Sequence, residues 1–177
     1  MRQGLIITAV GRDHPGIVDQ ISGVVFREGC NLEDSRMSIL GGHFALILLA
    51  TGPTAAIESV SGSFPMFAEE ADLSVRVQPT AVDEDEGASE ALLYRITAVS
   101  MDHPGIVHKI SNLLAQQGIN VASMETRVSH APTTGTPVFS LSIDAQVPAK
   151  IPVAEIRDLL GRVADDENLD LDIRAVT

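Results

Sequence analysis

Asp13-His14-Pro15-Gly16-Ile17-Val18 returns unchanged as Asp102-His103-Pro104-Gly105-Ile106-Val107. Around this hexapeptide the chain matches itself at an offset of 89. Ile7 to Leu32 laid on Ile96 to Val121 gives 14 identities in 26 positions. The Ile-Thr-Ala-Val before each turn, the Ile-Ser within the following helix and the Gly-x-Asn after it all recur. The 177-residue chain is thus a duplication, and two copies of such length suit a pair of small domains better than a solenoid. The expected boundaries are residues 1–80 and 91–177, with 81–90 as a polar linker carrying the acidic run Asp83-Glu84-Asp85-Glu86.

Working outward from the hexapeptide, each copy reads as strand, helix, strand, strand, helix, strand. Leu5 to Val10 and Leu92 to Val99 are β-rich apolar runs. After each turn, Ile17, Val18, Ile21, Val24, Val25 and Ile106, Val107, Ile110, Leu113, Leu114 fall at helical spacing and predict an amphipathic helix with one buried stripe. Gly29 and Gly118 stand where a helix-terminating glycine belongs. Gly41-Gly42 predicts a two-residue hairpin turn into Phe44 to Ala50, whose continuous apolarity suggests a strand buried on both faces. The second copy has the longer loop Ala131 to Pro137 instead. Phe139, Leu141 and Ile143 alternate with Ser140, Ser142 and Asp144, the pattern of a sheet covered on one side. Second helices are expected around Ile57, Val60, Phe64, Phe67 and through Val153 to Val163, with closing strands near Leu73 to Val77 and Leu169 to Val176. The fold class is α+β: two tandem ferredoxin-like βαββαβ domains, each an antiparallel sheet with helices on one face.

Composition narrows the function. The net charge of −12, from 24 acidic and 12 basic residues without a basic cluster, opposes direct contact with a nucleic-acid backbone. Aromatic content of 3%, without tryptophan, argues against a base- or sugar-stacking surface. One cysteine, Cys30, leaves no disulfide framework and no multi-cysteine metal site, and its expected role is core filler. The apolar run near the N-terminus is too short for a signal or membrane segment, so a cytoplasmic location without membrane contact is expected.

The hexapeptide is the best candidate site. Asp13 is a good helix N-cap, Pro15 suits a first turn, and Gly16 permits close approach by a ligand. Free N–H groups and the helix dipole there favour a small anion such as a carboxylate. The same four residues also serve as an efficient strand-to-helix connection without any ligand. Because the first helix runs back along the sheet, Asp13 and Asn31 should lie at opposite ends of one domain, as should Asp102 and Asn120. One ligand can then meet both kinds of residue only if two domains lie antiparallel. The expected pairings are Asp13 to Val18 with Asn120, and Asp102 to Val107 with Asn31.

Enzymatic readings are poorly supported. Ile119 replaces Cys30 in the second copy, His103 and His108 are five apart, and Asp19 stands where the second copy has His108. No catalytic residue, metal or cofactor is therefore expected, and His14 and His103 read as ligand contacts or polar turn residues.

The βαββαβ repeat, the strand ending in Thr-Ala-Val, the Asp-His-Pro-Gly-Ile-Val turn and the Gly-x-Asn resemble ACT domains, the small amino-acid-sensing regulatory modules. The tandem arrangement is similar to the glycine cleavage system transcriptional repressor group, whose members act through a DNA-binding partner protein. This resemblance implies ligand contacts at Asp13, His14, Gly16, Ile17, Val18 and Asn31, and at Asp102, His103, Gly105, Ile106, Val107 and Asn120. It implies a non-catalytic regulator that senses a small amino acid, glycine or serine first, and modulates a partner regulatory protein, working as a homodimer. The alternative is a ligand-free protein–protein interaction module.

Overall fold

The computed structural model describes residues 2–82, 91–101 and 104–176. The acidic run of the expected linker lies outside the described residues, as do Asp102 and His103. The chain divides into two compact units, 1–86 and 87–177.

The first unit contains β1 (Arg2–Arg12), α1 (Ile17–Arg27), β2 (Asn31–Leu40), β3 (His43–Thr51), α2 (Thr54–Glu70) and β4 (Leu73–Val82). The second repeats the order with β5 (Ala91–Met101), α3 (Ile106–Gln116), β6 (Asn120–His130), β7 (Pro137–Pro148), α4 (Val153–Glu167) and β8 (Asp170–Ala175). Each sheet is antiparallel, in the orders β2-β3-β1-β4 and β6-β7-β5-β8. This is the βαββαβ plan twice. Ala81 and Val82, assigned to the linker from sequence, pair with Gln3 and Arg2 as the end of β4.

Each core lies between one sheet face and two helices. Leu5, Ile7 and Ala9 of β1 and Phe44, Leu46, Leu48 and Ala50 of β3 meet Ile17, Ile21, Val24 and Val25 of α1 and Ile57, Val60 and Phe64 of α2. The second core repeats this with Ile96, Ala98, Leu141, Ile143, Ile110, Leu114, Ile156 and Leu160. Both α1 and α3 end on the expected glycine in left-handed conformation, Gly29 at φ 79° and Gly118 at φ 66°. Gly29 N–H donates to Phe26 C=O and Cys30 N–H to Val25 C=O, at 3.0 and 3.1 Å. Gly118 to Ala115 and Ile119 to Leu114 do the same at 3.0 and 2.9 Å, so both helices close with a Schellman motif. The residue after each glycine packs inward, which explains why Cys30 and Ile119 are buried and interchangeable. Burial pushes the Cys30 thiol up, away from a reactive thiolate, in keeping with core filler.

Two local expectations are overturned. Asp13 does not cap α1: the N-cap is Gly16, with φ 92° and ψ −5°, and no side chain bonds the helix N-terminus. Pro15 therefore precedes the cap rather than entering the first turn. Asp13 instead extends the sheet, its N–H donating to Gly42 C=O at 3.1 Å across the Gly41-Gly42 hairpin. Strand β3 is also not buried on both faces. Phe44, Leu46, Leu48 and Ala50 point into the core, while Ala45 and Ile47 are exposed and Leu49 is half-buried. The helices cover only one side of the sheet, and β3 is apolar on its open side as well.

Candidate functional site

The turn after β1 and the turn after β5 place a glycine in the same left-handed form, Gly16 at φ 92° and Gly105 at φ 102°. Only glycine enters this region without strain, and an added Cβ at either would meet no atom within 4 Å, so open space lies beside both backbones. The first intrahelical bonds run from Gln20 N–H to Gly16 C=O and from Lys109 N–H to Gly105 C=O, both at 3.0 Å. The N–H groups of Ile17, Val18 and Asp19, and of Ile106, Val107 and His108, thus precede the helical ladder. They sit at the positive end of the helix dipole.

The side chains around these donors differ in role. Asp13 is exposed, and His14 is half-buried with Nδ1 3.2 Å from Pro15 C=O. Ile17 and Ile106 are buried in their cores, so what they can offer a ligand is main chain, whereas Val18 is 45% exposed and Val107 half-buried beside the turn.

Asn31 and Asn120 are each the first residue of the strand after the helix, and both are exposed. Asn31 stands opposite Thr51, which stands opposite Gly4 at the far end of β1. From Gly4 to the turn after Arg12 is eight strand steps, about 26 Å at ~3.3 Å per residue. The second unit has the same spacing, with Asn120 opposite Gln146 and Gln146 opposite Leu93. Within one domain, then, the turn and the asparagine cannot touch one small ligand. Their chemistry also differs. Asn120 Nδ2 donates to Gln146 Oε1 at 2.7 Å, while in the first unit Thr51 donates its hydroxyl to Glu33 at 2.9 Å. Each asparagine is followed by a β-bulge at the same place, between Leu32 and Asp34 and between Val121 and Ser123.

Sequence reasoning missed a second concavity. A groove of about 580 Å³ opens between the C-terminal part of α1 and α2, lined by Arg27, Glu28, Ser59, Ser63 and Phe67 among others. Hydroxyls of Ser59 and Ser63 donate to the Glu28 carboxylate and hold it below the usual carboxylate range. None of the predicted site residues lines it. Among the described residues no three His, Cys, Asp or Glu side chains converge as a metal site, and no helix is long and apolar enough to cross a membrane.

ACT-domain family models match residues 3–78 and 94–161. The chain is a tandem ACT-domain protein. Over 172 residues it is 28% identical to the glycine cleavage system transcriptional repressor of Escherichia coli K12, covering 97% of this chain and 90% of the repressor. The UPF0237 protein CPE1496 of Clostridium perfringens is 31% identical over 75 residues, which is 41% of this chain and 84% of that protein. Among solved structures, an unknown protein from Galdieria sulphuraria superposes over the whole of both chains with a TM-score of 0.82 at 24% identity. A crystal structure assigned provisionally as a glycine cleavage system transcriptional repressor gives 0.76 at 24% identity, covering 100% of this chain and 99% of that one. The two structures share the tandem fold, and the ACT domains together with the repressor relative support a regulatory role for the chain.

Proposed function

We propose that this regulatory protein is a non-catalytic amino-acid sensor. The ligand carboxylate is received by the N–H groups after Gly16 or Gly105, and the strand-start asparagine of a different ACT domain completes the site. Glycine and serine are the leading ligands, because the open space beside each glycine suits a small side chain and the similar repressor is named for glycine cleavage. Occupancy then shifts the contact with a partner regulatory protein, giving control of transcription without direct contact with DNA. The observation that carries this reading is the glycine at each helix start, left-handed in both domains, within a hexapeptide kept unchanged although the residues before it, Gly11-Arg12 and Ser100-Met101, differ.

A thermal-shift screen of the twenty amino acids tests it. A ligand that binds only the folded state at a hundredfold excess over Kd adds about 2.7 kcal/mol, so glycine or serine should raise the melting temperature. Asn31→Ala and Asn120→Ala should each weaken that shift. If no amino acid raises it at millimolar concentration, the chain is a ligand-free interaction module instead.

A further inference from the structure

The open face of the first ACT domain's sheet carries an apolar centre with a basic rim. Residues directly opposite in neighbouring strands share a face, so the register puts Ile6, Val10, Ile47 and Leu49 together on the side away from the helices. Val10 is 48% and Ile47 47% exposed. By the same register Arg12, Arg36 and Arg76 lie on this face, from β1, β2 and β4. Of the four basic residues in 3–82, three therefore sit here and the fourth, Arg27, is on α1. Of the nine acidic residues, Asp34 shares the face in register, bonded to Arg36, and Glu33 lies at the bulge, bonded to Thr51. The others stand on the helices, helix ends and turns, so charge in this acidic chain is segregated across the thickness of one domain.

We propose that this face docks a partner protein through an apolar patch flanked by carboxylates. The apolar centre supplies the burial and the arginines select the charge of the partner. Face-to-face pairing with a second copy would set three arginines against three. Nucleic acid is disfavoured because every outward apolar residue named is aliphatic and the chain carries a net charge of −12. The proposal rests on the partner contact proposed above and is independent of the amino-acid site. The thermal-shift screen reads the ligand; the experiment below reads the surface.

A photoreactive benzoylphenylalanine is placed at Ile47, and separately at its counterpart Ser142, in the full chain within cells that naturally make it. The Ile47 probe should capture one protein whose crosslinked peptide carries apolar residues beside Asp or Glu, and the Ser142 probe should not. The double change R36E/R76E, checked for folding by circular dichroism, should lower the yield roughly tenfold, and R76E alone should lower it less. Capture of nothing, of nucleic acid or of a second copy overturns the proposal. So does a captured peptide without carboxylates, equal capture from Ser142, or a yield indifferent to charge reversal.

Discussion

Ile6 and Leu49 face each other on the open side of the first sheet; Arg95 and Asp144 occupy the same two places in the second. The second pair forms a two-pronged ion pair, Nε to Oδ1 at 2.7 Å and Nη2 to Oδ2 at 2.9 Å. One residue along β3 the comparison reverses. Ile7 with Leu48 and Ile96 with Ile143 are all buried beneath their helices, at 1% exposure or less. The fold therefore constrains the covered face and leaves the open face free. The two open faces are thus free to differ while the fold stays the same.

The largest effect should come from the face that does not differ. Ile7→Ala and Ile96→Ala should each cost about 2–5 kcal/mol, because each empties a fully enclosed site. Denaturant unfolding checks this, with far-UV circular dichroism following Ile7→Ala. Tyr94 is the sole tyrosine in a chain without tryptophan, and it packs against the second core, so its fluorescence follows Ile96→Ala in the second domain alone. The open-face exchanges Ile47→Ser and Ser142→Ile should move stability by no more than about 0.5 kcal/mol. A cost for these exchanges comparable to the core changes would end the distinction between the faces.

A smaller and more equal effect is expected at the turns. Gly16→Ala and Gly105→Ala should each cost about 1–2 kcal/mol from left-handed backbone strain, since the new methyl meets no neighbour in either domain. Gly11→Ala sharpens the contrast. Its Cβ would lie 2.4 Å from Leu73 Cδ2 and 3.0 Å from Asp72 C=O, whereas the matching position in the second domain already holds Ser100. Thermal unfolding should show Gly11→Ala destabilising the protein while Ser100→Ala does little.

Much of the fold was legible because its signals are local. The repeated hexapeptide, the helical spacing from Ile17 and Ile106, the left-handed glycines after each helix and the Gly41-Gly42 hairpin need only short stretches of chain. Misreadings arose where the deciding information is not local. Asp13 has the chemistry of an N-cap, but the helix starts after a left-handed Gly16, and side-chain propensity does not report backbone conformation. Phe44 to Ala50 read as doubly buried because Ile47 and Leu49 are as apolar as Leu46 and Leu48. Hydrophobicity does not say whether a residue lies beneath its own helices or on an open face. Strand β4 was read as closing near Val77, with the linker from residue 81, because Pro79 interrupts the apolar pattern, though Gln78 to Val82 stay in register with β1. At the site, the separation of turn and asparagine followed from the helix reversing direction. The bond from Asn120 to Gln146 did not, because it joins residues 26 apart in the chain through a register that only the folded sheet defines.

The smallest expected effect separates the domains by pH. Arg95 holds the Asp144 carboxyl below the usual carboxylate range through its hydrogen bonds; partial burial opposes this and the Ser123 hydroxyl, 3.1 Å away, reinforces it. A carboxyl held low in the folded state binds its proton less readily than the same group in the unfolded chain, whose value is about 3.9. Its contribution is therefore fully present above that value and is lost as pH falls through the lower folded one. Nothing titrates at the corresponding Ile6–Leu49 pair, so the first domain's acid sensitivity has a different origin. There Ser59, and then Ser63, hold Glu28 low across the groove between α1 and α2. Tyr94 fluorescence followed through denaturant between pH 7 and pH 2.5 should show the second domain weakening below about pH 4. Replacing the pair with its first-domain counterpart, Arg95→Ile with Asp144→Leu, should flatten that decline while changing little at pH 7. Glu28→Gln should leave the Tyr94 profile alone and flatten the acid decline in circular dichroism instead. If the paired replacement left the acid limb seen by Tyr94 unchanged, the ion pair would be an ornament of the open face, and the contrast between the two sheets would concern surface recognition only.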